Sequence, residues 1–103
     1  MATRIVALFN LKPGIDQTTY EEWARSVDLP TVNGLASIQE FSVFRSVAML
    51  GSDAAPPYQY VEIIDVADMD QFGKDIAAET MQKIAAQFQD MADVTFILTD
   101  KLG

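Results

Sequence analysis

The chain has 103 residues, half of them apolar, and fifteen acids against seven bases give it a formal charge of −8. The length predicts a single domain over residues 1–103 whose small core would gain from oligomerisation. The acidic balance argues against a nucleic-acid partner and against docking on anionic lipid, and the absence of cysteine and histidine removes disulfides, thiol nucleophiles, zinc–thiolate sites and the commonest general base.

Thr3 to Leu11 is β-branched and apolar and predicts a strand, broken by Pro13-Gly14. Ala2 to Leu11 is too short and too interrupted for a membrane span and lacks the core and cleavage site of a signal peptide. A cytoplasmic location with no membrane partner is the expectation. A helix follows, with capping-box spacing at Thr18 and Glu21 and again at Thr19 and Glu22. Tyr20, Trp23, Ala24 and Val27 give it an apolar face, and Pro30 is expected to end it near Asp28-Leu29. Thr31 to Ala36 reads as a connector carrying the turn signal Asn33-Gly34.

Ser37 to Leu50 predicts a long strand. Phe41, Val43, Arg45, Val47 and Met49 share one side of it, and Ile38, Glu40, Ser42, Phe44 and Ser46 the other. Gly51 to Pro57 reads as a hairpin connection and Tyr58 to Val66 as the returning strand. A second helix is predicted from Asp68 to Asp90, with Phe72, Ile76, Ile84 and Phe88 on its buried stripe, before a last strand from Asp93 to Leu102.

The order β-α-β-β-α-β predicts an α+β, ferredoxin-like fold: a four-stranded antiparallel sheet with both helices on one face. Both strand parities are apolar, since Val61 and Ile63 oppose Tyr60 and Ile64. A monomer would leave an apolar sheet face in water, so a two-fold homodimer packed sheet on sheet, a dimeric α+β barrel, is expected.

Glu62 is the strongest chemical hint, a carboxylate in the middle of an aromatic and β-branched strand. An unpaired buried carboxylate is costly. Glu62 therefore pairs across the sheet with Arg45, faces water, or lines a pocket with a raised pKa. The candidate catalytic set is Glu62, Tyr60 and Arg45. Tyr60 is read as a proton donor or a packing residue, and Arg45 as an ion-pair partner or an oxyanion stabiliser. Candidate ligand contacts in a pocket between helices and sheet are Asn10, Tyr20, Trp23 and Tyr58, with Trp23 either a stacking wall or core. Asp65 and Asp68 read as helix caps, and Asp16, Asp53, Asp90 and Asp93 as solvated surface. Met49, Met69, Met81 and Met91 read as core or pocket filler. No cluster has metal-ligand spacing, and no phosphate loop or nucleophile elbow is present.

Trp23-Ala24-Arg25, Asp28-Leu29-Pro30-Thr31-Val32, Leu35-x-Ser37-Ile38 and Phe41-x-Val43-x-Arg45 resemble, in order and spacing, the RedY-like proteins of prodiginine pigment pathways. Ala55-Pro56-Pro57 with Tyr58 to Val66, and Met69-Asp70-x-Phe72, extend the resemblance over essentially the whole chain. It implies a dimeric α+β barrel of secondary metabolism that handles reactive heteroaromatic intermediates. The expected partner is a small hydrophobic aromatic ligand whose cyclisation, condensation or rearrangement the protein steers, with no cofactor. A cofactor-independent aromatic monooxygenase of the same fold, or a non-catalytic protein that shields an unstable intermediate, are the alternatives.

Overall fold

The structure, a computed structural model, describes residues 3–103; Met1 and Ala2, the start of the expected domain and of the N-terminal apolar stretch, lie outside the described residues. Four strands, β1 (Thr3–Leu11), β2 (Ile38–Arg45), β3 (Tyr60–Val66) and β4 (Ala92–Thr99), form one antiparallel sheet in the order β2-β3-β1-β4. The helices α1 (Gln17–Trp23), α2 (Leu29–Asn33), α3 (Met69–Ala77) and α4 (Glu79–Met91) complete the expected α+β, ferredoxin-like order. No helix among the described residues is long and apolar enough to cross a membrane.

Several boundaries differ from those expected, each for a local reason. Asp16, rather than Thr18 or Thr19, caps α1 by accepting from the Thr19 amide at 2.7 Å. Pro30 does not end the first helix. Its ring clashes with the carbonyl four residues back in a regular helix. The chain instead widens into a π turn, Ala24–Asp28, where the Leu29 amide donates to the Ala24 carbonyl, and Pro30 sits at the start of α2. Asn33 then donates to the Phe41 carbonyl and accepts from its amide, tying α2 to β2. The second helix is broken at Ala78, whose backbone is extended. The Gln82 side chain caps the orphaned Ile76 carbonyl at 2.8 Å.

β2 is shorter than predicted. It stops at Arg45, and a register shift between Ile38 and Glu40 puts Ile38 on the same face as Phe41. The connection up to Gln59 is fastened to β1 by Asn10, which accepts from the Gln59 amide at 2.9 Å and donates to the Pro57 carbonyl at 3.0 Å. Asp68 caps α3 as expected, whereas Asp65 pairs with Arg4 on the adjacent strand at 2.7 Å.

Two apolar clusters hold the helices on the sheet. Ile5, Ile64 and Val66 pack with Val32 of α2 at one end, and Phe9, Tyr20, Tyr60 and Phe88 pack at the other. On the opposite sheet face Val6, Leu8, Val61 and Ile63 are half-buried, and Phe44 and Ile97 are exposed. Among the described residues nothing covers that apolar face.

Candidate functional site

The seam between the two clusters is where the chemistry collects. On β3 the helix-facing residues are Tyr60, Glu62, Ile64 and Val66, all buried. Glu62 thus stands between an aromatic cluster and an aliphatic one. Its cross-strand neighbours are Val43 on β2 and Ala7 on β1, and Phe96 lies beyond Ala7 on β4. None of these offers a hydrogen bond to the carboxylate. The methyl of Ala7 leaves depth in the row beside it.

Above this row the helices stand off the sheet and border an open-sided cavity of about 590 Å³. Ile5 and Ile64 form part of its floor, and Phe72, Ile76, Met81 and Phe88 part of its roof. The volume falls within the usual range for small-molecule sites. The break at Ala78 shapes the roof, since it lets α3 and α4 present separate apolar stripes to one space. Met69 and Met81, read from sequence as core or pocket filler, line the cavity, whereas Met49 is exposed in the β2–β3 connection.

Two carboxylates open onto this cavity. Glu62 is 3% exposed and Asp28, from the π turn, is 5% exposed. Burial, and then the charge of Asp28, push the Glu62 carboxyl up to about 8, and burial pushes Asp28 up to about 6. Neither shows a hydrogen bond or an ion pair among the described residues, and Glu62 lies on the cavity rather than against Arg45 or in open solvent.

The Glu62–Arg45 pair, one of the three readings of Glu62, does not form. Arg45 lies opposite Tyr60 and reaches Glu21 of α1 at 3.5 Å. Glu21 also takes the Tyr60 hydroxyl hydrogen at 2.7 Å and an Arg25 nitrogen at 3.2 Å. Burial first, and then the bond to Glu21, raise the Tyr60 pKa, which makes it a poorer acid. Tyr60, Arg45 and Tyr20 line a separate cleft of about 140 Å³. The candidate catalytic set is therefore split, with Glu62 in the large cavity and Tyr60 and Arg45 in the small one.

The candidate ligand contacts are dispersed as well, and none lines the large cavity. Asn10 holds the β2–β3 connection, and Tyr58 sits exposed within that connection. Tyr20 is fully buried against Phe9 and Tyr60, its hydroxyl without a partner, and its pKa is raised by burial and then by the charge of Glu62. Trp23 stacks parallel on Phe88 at 6.2 Å and donates its indole hydrogen to Gln87 at 2.8 Å. It touches the cavity only through Phe88, which lines it.

Asp28 and Gln82 are the polar cavity residues that sequence reasoning missed. A signal for Asp28 exists. Tyr20, Ala24, Asp28 and Val32 recur every four residues, so the acid interrupts a buried helical stripe. Expecting the helix to stop before Pro30 hides that stripe.

Comparison with known proteins gives a consistent picture. The sequence model of the family described as REDY-like protein HapK matches residues 3–102. The crystal structure of HapK from Hahella chejuensis is similar at a TM-score of 0.77 and 30% identity, covering 100% of this chain and 94% of that one. SnoaB, a cofactor-independent oxygenase from Streptomyces nogalater, shares the fold at a TM-score of 0.78 and 14% identity, covering 99% of this chain and 94% of its own. A dimeric ferredoxin-like protein of unknown function from Thermobifida fusca shares it at 0.75 and 17% identity, covering 96% and 90%. No curated protein matches the sequence.

Proposed function

The chain belongs to the REDY-like HapK family, and from that premise and the geometry of the cavity we propose that it serves secondary metabolism of the prodigiosin type. In this reading it binds a flat, hydrophobic heteroaromatic intermediate and steers its cyclisation, condensation or rearrangement. Glu62 is the observation that carries the proposal: a buried carboxylate without a partner, opening onto an apolar cavity of ligand size. A carboxylate kept only for structure is normally hydrogen-bonded when buried. With its pKa near 8, Glu62 holds a proton at neutral pH that it can give to a ligand nitrogen or carbonyl and recover later. Positioning and water exclusion supply the rest, so the reading calls for no cofactor.

The uncovered sheet face supports a two-fold homodimer, as does the fold it shares with a protein described as dimeric. The reading places the protein in the cytoplasm. A second reading draws on the oxygenase with the same fold: Glu62, once ionised, would deprotonate an electron-rich aromatic substrate that then reacts with dioxygen directly.

The test is mass-spectrometric capture of ligands from producing-cell extract, followed by turnover of the captured compound. Glu62→Gln should fold and bind yet lose about 10²-fold or more in turnover. Oxygen uptake during turnover would select the oxygenase reading. Tight binding with an unchanged product distribution would select shielding without catalysis, and wild-type turnover by Glu62→Gln would overturn the acid–base role.

A further inference from the structure

The second carboxylate of the cavity has no part in the reading above. Asp28 projects from the π turn beside Glu62, and no group of the described residues donates to either. Both are more than nine-tenths buried. From β1, β2, β4 and α3 only apolar side chains and Gly73 line the space, and α4 adds one neutral polar group, Gln82. The further titratable group close to both acids is Tyr20 of α1, whose buried hydroxyl feels the charges of Glu62 and Asp28. Tyr60 stands beyond Tyr20 and donates to Glu21. Arg25 and Arg45 are both paired with Glu21 in the small cleft.

Two acceptors thus face an apolar space that holds no cation and no charged donor. Buried charges persist when a partner of opposite sign meets them, and here the described residues supply none. Resting on the ligand-binding reading above, we propose that Asp28 and Glu62 together recognise a positively charged, N–H-donating group on the flat apolar ligand, such as a protonated imine, amidine or aromatic amine, with Asp28 the specificity-determining residue.

The charge state fits this role. Between the values to which burial raises them, about 6 for Asp28 and about 8 for Glu62, the pair holds one proton and one negative charge. The ionised member accepts a charge-assisted N–H bond, which is stronger than a neutral one. An anionic ligand of the same shape meets a like charge and is rejected.

The test is calorimetric binding to the full chain of three flat tricyclic probes of similar outline: an aminoacridinium cation, neutral acridone and anthracene carboxylate. Near neutral pH the cation should bind at least about tenfold more tightly than acridone, and the carboxylate most weakly. Asp28→Asn should abolish the advantage of the cation over acridone. Acidification through about 6, which protonates Asp28, should erode the same advantage in the unaltered protein, so the test does not hang on one variant folding. Acridone binding with no preference for the cation would overturn charge recognition and leave the apolar ligand site standing. If none of the three bound, both readings would fall.

Discussion

Replacing Glu62 by Gln should make the protein more stable at high pH than at low pH relative to the parent. The ordinary carboxyl value of 4.5 is raised to about 8 by burial and by Asp28. In that interval the unfolded chain has lost its proton while the folded protein still holds one. Stability from this group is therefore fully present below about 4.5 and is lost as pH rises through about 8. Each pH unit across the interval is worth about 1.4 kcal/mol, which caps the effect on the order of 5 kcal/mol. Relaxation and water entry reduce the cap, leaving roughly 2–3 kcal/mol above pH 8. Gln keeps the shape and cannot ionise, so the variant escapes this loss. Urea unfolding at fixed protein concentration, from about pH 5 to about pH 9, should show the stability difference growing by that amount in favour of Gln. Any constant penalty from burying the amide cancels in this comparison. A difference that does not change with pH, or one that grows in favour of the parent, would refute a buried, partnerless Glu62.

Further outcomes follow from the packing. Val61 lies on the uncovered sheet face and Ile64 beneath the helices; if the proposed dimer forms, Val61→Asp should give a folded monomer by sedimentation at micromolar concentration, because the new charge would disrupt a sheet-on-sheet contact, whereas Ile64→Asp should unfold the chain. Trp23→Ala should cost about 2–3 kcal/mol by denaturant unfolding, less than full Trp burial because the ring is only partly buried, and Trp23→Phe should recover most of it. Because Trp23 stacks on the cavity residue Phe88, its emission should shift when the cavity fills, and an unchanged spectrum at saturation would count against occupancy beneath Phe88. Gly73 lies inside α3 with nothing within 4 Å of an added Cβ; Gly73→Ala should raise stability by about 0.5–1 kcal/mol through helix propensity, and a destabilised variant would show that α3 needs the flexibility of glycine.

The fold was legible because strands of β-branched residues and helical stripes such as Phe72, Ile76, Ile84 and Phe88 read directly as periodicity. Element ends were less legible. Val47 and Met49 continue the alternation of β2, yet the sheet partner ends at Tyr60, so they have no strand to pair with. Glu62 was found because an acid in an apolar strand is a visible conflict. Its surroundings were not, because they depend on register: Val43 rather than Arg45 lies opposite it. Tyr60 and Glu62 share one strand face, yet Glu21 reaches across from α1 to hold the Tyr60 hydroxyl in another cleft. Contacts between distant elements of this kind leave no local mark in the sequence.

The two helical irregularities converge on one place. A regular helix through Pro30 would set the ring against the Ser26 carbonyl; the π turn removes that conflict and carries Asp28 on the stretch that faces the cavity. A helix unbroken at Ala78 would present a single stripe along one axis. The break gives the roof two, with Phe72 and Ile76 on one segment and Met81 and Phe88 on the other. π turns recur at functional sites, and here the helical distortion and the partnerless acids meet in the same cavity. Each acid costs folding free energy that apolar residues of similar volume would not. A chain of 103 residues has little stability to spare. Two such acids beside one apolar cavity are therefore poorly explained by folding alone, and a bound ligand that meets them with a charge or a proton accounts for both.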